Sequence, residues 1–218
     1  MIITIDGPAG AGKSSAARAL AQRLGFEFLD TGAMYRSVAL AARRAGVDLA
    51  DPAAAEALVA GLRLELPAGR VLLDGEDVSA AIRRPEVTAA TGAAADSPAV
   101  RRRLADLQRA IAAGRNMVAE GRDQGTVVFP DAVCKFFLVA DPEERARRRQ
   151  RELEARHEPV DFAALLAAIL ERDRRDAARD IATMRPADDA ILLDTTRLSL
   201  DEVVDRMETE CRCRFSRS

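Results

Sequence analysis

Hydrophobic and polar residues alternate along this chain with two different spacings. Short runs of mostly β-branched or aromatic residues are typical of buried strands, whereas longer stretches with apolar positions three or four apart are typical of helices. The short runs predict strands at residues 2–5, 26–29, 116–119, 135–139 and 191–193. The longer stretches predict helices at residues 14–24, 33–45, 51–61, 99–113, 142–156, 160–178 and 199–211. Strands that alternate with helices predict an α/β fold, with a parallel sheet covered by helices on both faces.

One segment interrupts this alternation. From Leu62 the pattern changes to LRLEL, and Asp74-Gly75 after the run RVLL is a hairpin signal. Two or three short antiparallel strands within a strand–helix series indicate an insertion, which we place at residues 62–97. We therefore expect one domain with an inserted part.

The first predicted strand leads directly into a glycine-rich loop. Residues 7–14 read GPAGAGKS, the pattern G-x-x-x-x-G-K-S, between a predicted strand and a predicted helix. Such a loop lets backbone N–H groups converge on phosphate oxygens, and the helix N-terminus adds its dipole. A chance match to a small-residue turn is the alternative, but the complete spacing in this context favours a nucleotide site. Its predicted members are Gly7, Pro8, Ala9, Gly10, Ala11, Gly12, Lys13, Ser14 and Ser15, with Lys13 beside the β- and γ-phosphates of ATP and Ser14 as a Mg²⁺ ligand.

The composition excludes several other classes of protein. The 218 residues carry 33 Lys and Arg against 35 Asp and Glu, so the net charge of −2 does not indicate a nucleic-acid partner. No apolar run is long enough to span a membrane, so no membrane partner is expected. The first strand begins at Ile2 and leaves no room for a signal peptide, which predicts a cytoplasmic location.

Cysteine and histidine offer little for catalysis. Cys134 lies in an apolar strand and is predicted to be a core residue. Cys211 and Cys213 are predicted to be tail cysteines; metal binding is the alternative, for which two ligands without a nearby histidine are poor evidence. His157 is the only histidine, which argues against a Ser-His-Asp hydrolase and against a His-ligated zinc enzyme.

Arginines follow two of the predicted strands. After residues 26–29, Thr31 is predicted to cap the next helix and to face the phosphate site, and Arg36 lies one turn further on. After residues 116–119 comes EGRDQGT, with Arg122 at the carboxyl end of a strand, where α/β sheets bind ligands.

Two later helices carry further arginines. Arg172, Asp176 and Arg179 share a helix face, although a salt-bridged surface explains that spacing equally well. Pairs such as Glu143/Arg147 are ordinary surface stabilisation of the helix at 142–156, but its surplus arginines, among them Arg145 and Arg148, suit a mobile cover over phosphates.

A phosphate-binding loop without an N-K-x-D guanine motif favours a small kinase. An alcohol acceptor would require a carboxylate base, whereas a phosphate acceptor would require a second group of arginines. The chain contains such a group in Arg36, Arg122, Arg172 and Arg179, which favours a phosphate acceptor. Kinases for adenylate, uridylate or shikimate, and a nucleotide-binding switch that hydrolyses ATP slowly, are the alternatives.

Several motifs in the same order resemble the bacterial cytidylate kinases over nearly the whole chain. They are ITIDGPAGAGKSS, LDTGAMYR, LLDGEDVSAAIRRPEV, EGRDQGTVVFPDA and ERDRRDAAR. The resemblance implies a P-loop kinase with a five-stranded parallel sheet, in which residues 1–61 and 98–218 form the core, residues 62–97 an inserted CMP-binding subdomain and residues 143–158 a lid. It also implies a monomer that transfers the γ-phosphoryl group of Mg·ATP to CMP or dCMP.

The same resemblance assigns roles to individual residues. It implies that the CMP phosphate is bound by Arg36, Arg122 and Arg179, which act with Lys13 in catalysis, and that Thr31 lies near that phosphate. It implies that cytosine is recognised by Arg101 and Asp123 and that the sugar lies near Arg172 and Asp176. It also implies that Arg148 binds ATP. A carboxylate and an arginine match the N4 donor and the N3 and O2 acceptors of cytosine. Two positions depart from the family pattern: Gly92, beside Thr91, stands where many relatives have serine, and Glu120 stands where aspartate is common.

Overall fold

The computed structural model describes residues 1–155, 157–158, 160–178 and 184–216. The chain divides into two compact units, of which the first comprises Met1–Leu29 with Gly114–Ser218 and the second comprises Asp30–Ala113. The predicted insertion at 62–97 lies within the second unit.

The described elements follow the predicted alternation. The strands are β1 (Ile2–Asp6), β2 (Glu27–Asp30), β3 (Leu64–Glu65), β4 (Leu72–Leu73), β5 (Glu76–Asp77), β6 (Met117–Glu120), β7 (Cys134–Val139) and β8 (Ile191–Asp194). The helices are α1 (Lys13–Leu24), α2 (Thr31–Ala45), α3 (Pro52–Gly61), α4 (Pro85–Asp96), α5 (Pro98–Ala112), α6 (Pro142–Glu154), α7 (Phe162–Ala177) and α8 (Leu200–Phe215). A π-helical turn at Gln124–Val128 follows β6.

The first unit is built on a five-stranded sheet with the order β2-β6-β1-β7-β8. β1 pairs in parallel with β6 and β7, and β7 pairs in parallel with β8, so the predicted parallel α/β fold is confirmed. The β-branched Ile3 and Ile5 of β1 are fully buried, as are Leu20 of α1 and Met207 of α8. This core holds the carboxyl ends of β1, β6 and β7 at one edge of the sheet, where the glycine-rich loop begins.

The second unit contains the predicted hairpin. Strands β3, β4 and β5 form an antiparallel sheet, and Asp74 and Gly75 both have positive φ (51° and 88°) in the turn between β4 and β5. Two consecutive residues with positive φ match the turn that best joins two antiparallel strands. The small-residue segment at 89–95, for which the sequence predicted no element, belongs to α4, which packs against α2.

Two local predictions are wrong. Asp30, and not Thr31, caps α2, because the Asp30 carboxylate accepts a hydrogen bond from the Ala33 N–H at 2.8 Å and Thr31 is already helical. Cys211 is not a tail residue, because α8 continues to Phe215 and buries Cys211 completely in the core cluster that contains Cys134. Cys134 is a core residue as predicted, and Cys213 is exposed.

Candidate active site

The glycine-rich loop has the backbone conformation that its glycines predict. Gly7, Gly10 and Gly12 have φ values of 134°, 79° and 86°, which side chains rarely tolerate. A Cβ at Gly7 would overlap the carbonyl oxygen of Leu138 in β7. The loop therefore lies directly on the sheet, and only glycine permits this approach at position 7.

The N-terminus of α1 is left without a protein cap. Gly12 occupies the cap position, and among the described residues no side chain accepts a hydrogen bond there and no acid lies in the first turn. The first N–H groups of a helix need acceptors and carry a partial positive charge. The end of α1 is therefore suited to an anion, as the motif predicts.

Lys13 is enclosed by this loop. Its Nζ donates a hydrogen bond to the carbonyl oxygen of Pro8 at 2.6 Å, and the residue is only 6% exposed. Burial, and then the nearby charge of Arg122, hold the pKa of Lys13 well below its usual value, while Glu120 opposes that shift. A cation in such a place is favoured by an added negative charge, which phosphate oxygens would supply.

Ser14 has a partner that the sequence motifs did not identify. Its Oγ donates a hydrogen bond to Oε2 of Glu120 at 2.7 Å, and Glu120 is 6% exposed at the end of β6. A hydroxyl and a buried carboxylate form an oxygen donor set of the kind that Mg²⁺ prefers. These two residues therefore fit a magnesium ion beside the loop.

Arg145 is not an exposed arginine of the predicted cover. It is 3% exposed, donates hydrogen bonds to the carbonyl oxygens of Ala9 and Ala140 at 3.0 Å each, and forms a bidentate pair with Asp173 of α7. Arg145 thus ties the glycine-rich loop to α6 and α7. A buried guanidinium group with a bidentate partner fixes the positions of the elements that it joins and is not available to a mobile ligand.

The other arginines of α6 differ from one another. Arg147, Arg149 and Arg151 pair with glutamates of the same helix at 2.9, 2.9 and 3.1 Å, the ordinary surface pairing that the sequence also allowed. Arg148 also pairs with Glu144 of the same helix at 3.2 Å, and in addition it donates hydrogen bonds to Thr195, at 2.5 Å to its carbonyl oxygen and 3.2 Å to its hydroxyl. Arg156, the last residue of the helix predicted at 142–156, lies outside the described residues.

A cleft opens beside the loop and Arg148. Its volume is about 540 Å³, and its lining includes Ala11, Gly12, Ser15, Arg148 and Leu198. Small side chains of the loop form one side of this cleft and the residues after β8 form another. The predicted nucleotide residues Ser15 and Arg148 are thus brought together here.

Predicted acceptor residues of the first unit cluster around one buried carboxylate. Asp176 of α7 is 4% exposed, and its Oδ2 lies 3.3 Å from Nε of Arg122 and 4.0 Å from Nε of Arg172. The shared face of Arg172 and Asp176 is confirmed, and its link to Arg122 is new. Asp123 follows Arg122 in the sequence and is 5% exposed, whereas Arg179 lies outside the described residues.

The predicted acceptor residues of the second unit lie on α2 and α5. Nη2 of Arg36 lies 3.2 Å from Oδ2 of Asp30, and the buried Nε of Arg36 has no partner among the described residues. Thr31 is 2% exposed at the start of the same helix. Arg101 of α5 donates a hydrogen bond to the carbonyl oxygen of Ala95 at 3.2 Å. Arg36 thus has one buried N–H group that no described residue uses.

None of the described helices has both the length and the apolar character needed to cross a bilayer.

Comparison with known proteins gives one consistent family. The family model described as "Cytidylate kinase" matches residues 3–212. The cytidylate kinase of Stutzerimonas stutzeri is 48% identical over 96% of this chain and 94% of its own, and that of Pelotomaculum thermopropionicum is 52% identical over 93% and 92%. An uncharacterized protein from Eubacterium ventriosum has a crystal structure that shares the fold, with a TM-score of 0.52, 15% identity and coverage of 97% and 98%.

Proposed function

Because this chain belongs to the cytidylate kinase family, we propose that it transfers the γ-phosphoryl group of ATP to CMP or dCMP, giving CDP or dCDP and ADP. It is an ATP-dependent phosphotransferase whose acceptor is itself a phosphate, and it serves pyrimidine nucleotide metabolism. We further propose that it acts as a monomer in the cytoplasm, without a nucleic-acid partner.

The observation that carries this proposal is the uncapped N-terminus of α1, with Lys13 buried in the glycine-rich loop that precedes it. Phosphoryl transfer depends mainly on positioning and on neutralising the charge of the transferring group. The loop N–H groups and Lys13 would position the phosphates of the donor and neutralise their charge. The phosphates of ATP would lie on the loop, with Ser15 and Arg148 along the adjoining cleft.

For the acceptor, we propose the roles that the family resemblance implies. Arg36, Arg122 and Arg179 would bind the CMP phosphate near Thr31, Arg101 and Asp123 would recognise cytosine, and Arg172 and Asp176 would contact the sugar. The phosphate of CMP is already ionised at neutral pH, so no side chain needs to deprotonate it. The pairing of Arg122 with the buried Asp176 supports this role, since it aims a guanidinium group from a fixed position.

Mg²⁺ would be held beside Ser14 and Glu120, where it would neutralise charge on the phosphates of ATP.

We expect Glu120→Gln to raise the Mg²⁺ concentration for half-maximal activity by about tenfold, because an amide oxygen carries no charge. Titration of the initial rate with MgCl₂ measures this. Glu27→Gln is the control, since Glu27 is an exposed carboxylate paired with Arg115. A Mg²⁺ dependence unchanged in Glu120→Gln would remove that residue from the magnesium site.

An assay of acceptors tests the proposed function. Incubated with ATP and Mg²⁺, the protein should form ADP only when a nucleoside monophosphate is added, with kcat/KM for CMP exceeding that for AMP by about 10²-fold or more. Asp123→Ala should lower the ratio of kcat/KM for CMP to kcat/KM for AMP if Asp123 binds the base. ADP formation without an acceptor, or faster with shikimate or AMP than with CMP, would contradict the proposal.

A further inference from the structure

Asp6, the last residue of β1, is a buried carboxylate that the proposed reaction does not use. The residue is 4% exposed, and burial raises its pKa to about 6. The backbone N–H groups of Gly125 and Gln124 and the charge of Lys13 act in the opposite direction, while the charge of Asp123 adds to the rise. A carboxylate in a place that disfavours its charge needs hydrogen-bond donors as partners.

Both oxygens of this carboxylate hold the same loop. Oδ1 accepts a hydrogen bond from the Gln124 N–H at 2.9 Å, and Oδ2 accepts one from the Gly125 N–H at 2.8 Å. These two residues come directly after Asp123 and begin the π-helical turn at Gln124–Val128. Two bonds to consecutive peptide groups fix the orientation of the loop as well as its distance.

The loop packs tightly on the strands at this point. A Cβ at Gly125 would lie 2.9 Å from Oγ1 of Thr4 in β1 and 3.2 Å from Cδ of Lys135 in β7. Gly125 therefore lets the peptide reach the carboxylate, and a larger residue would force the loop away from it.

Asp6 also directly precedes Gly7, the first residue of the glycine-rich loop. One residue thus joins the loop for the donor phosphates to the loop that carries Arg122 and Asp123. A small displacement between reacting groups is enough to slow a transfer reaction strongly.

We propose that Asp6 is a positioning residue for the acceptor: its carboxylate, through the N–H groups of Gln124 and Gly125, sets where Arg122 and Asp123 lie relative to the donor loop. The proposal rests on the proposed function, since it assigns Arg122 and Asp123 to CMP. It goes beyond that function because the proposed function assigns Asp6 no contact with either nucleotide.

The decisive variant is Asp6→Asn. An asparagine side chain offers one acceptor oxygen, and its NH₂ group would face the second N–H, so one of the two bonds is lost at nearly constant volume. Thr4→Val is the matched control, because Thr4 is equally buried in the same strand and its Oγ1 has no hydrogen-bond partner in the described part of the chain.

Steady-state kinetics at pH 8 and amide hydrogen exchange test the proposal. For Asp6→Asn we expect the KM for CMP to rise about tenfold or more, with the KM for ATP within about twofold of wild type. The amides of Gln124 and Gly125 should exchange about tenfold faster or more, because they lose acceptors. Thr4→Val should match wild type in each measurement.

If Asp6→Asn does not fold, Gly125→Ala gives the same test by displacing the loop from an unchanged Asp6, and adding Thr4→Ala should restore part of the loss. Equal increases in both KM values, an unchanged KM for CMP, or unchanged exchange at Gln124 and Gly125 would overturn the positioning role. A wild-type protein that does not phosphorylate CMP would instead overturn the proposed function, and the exchange data would still report on the hydrogen bonds of Asp6.

Discussion

Lys13→Ala is expected to lower kcat with ATP and CMP by about 10³-fold, with the fold retained. Lys13 is the cation enclosed by the glycine-rich loop, and its Nζ is held by the Pro8 carbonyl at 2.6 Å. Its charge would stabilise the transferring phosphoryl group in a place where solvent is excluded. Because burial already disfavours that charge in the free protein, its removal should not destabilise the fold.

The other lysine of the chain is a matched control for this experiment. Lys135 is also 6% exposed, but its Nζ pairs with the carboxylate of Asp189 at 2.9 Å. Lys13→Met and Lys135→Met remove the same charge at similar volume, so thermal unfolding and kcat can be compared directly. A kcat for Lys13→Met within about tenfold of wild type would contradict a catalytic role.

Arg122→Lys is expected to lower kcat/KM for CMP by about 10²-fold and to change the KM for ATP little. The guanidinium group of Arg122 uses Nε for Asp176 at 3.3 Å and Nη1 for the Gly121 carbonyl at 3.1 Å, and the side chain remains 24% exposed. Lysine keeps the charge but loses the planar fork that both holds Asp176 and matches phosphate oxygens. The comparison of the two KM values therefore separates acceptor binding from general damage.

Arg174→Lys is the control for Arg122→Lys. Arg174 lies on α7, two residues before Asp176, but is 73% exposed and pairs with Glu171 of its own helix at 2.8 Å. We expect Arg174→Lys to have the same kcat/KM for CMP and the same KM for ATP as wild type. If both variants lowered kcat/KM for CMP by the same factor, or if Arg122→Lys raised mainly the KM for ATP, the acceptor role of Arg122 would be wrong.

The parts of the site that depend on local sequence were predictable. The loop at residues 7–14 is one uninterrupted motif, and its glycines can be recognised because positive φ is rare for other residues. The shared face of Arg172 and Asp176 follows from helix geometry, since they lie four residues apart. The hairpin at Asp74-Gly75 was likewise predictable from two adjacent residues.

The parts of the site that depend on partners distant in the sequence were not predictable. Ser14 and Glu120 are 106 residues apart and Asp6 and Gln124 are 118 apart, so no spacing in the sequence reveals these bonds. Arg145 resembles its neighbours on a charged helix, yet it is buried because Ala9 and Asp173 lie beside it in the folded chain. Cys211 is buried because α8 packs it against the core cluster that contains Cys134, and that contact also joins residues distant in the sequence.

The sequence by itself determined the α/β class, the donor loop and the presence of a second group of arginines, because each follows from periodicity or from a contiguous motif. Only the tertiary structure decided which buried polar groups act together: Ser14 with Glu120, Arg122 with Asp176, and Asp6 with the loop after β6. The physical reason is that a parallel sheet brings the carboxyl ends of strands distant in sequence to one edge. There, burial makes each unpaired charge unfavourable and so makes its partner specific.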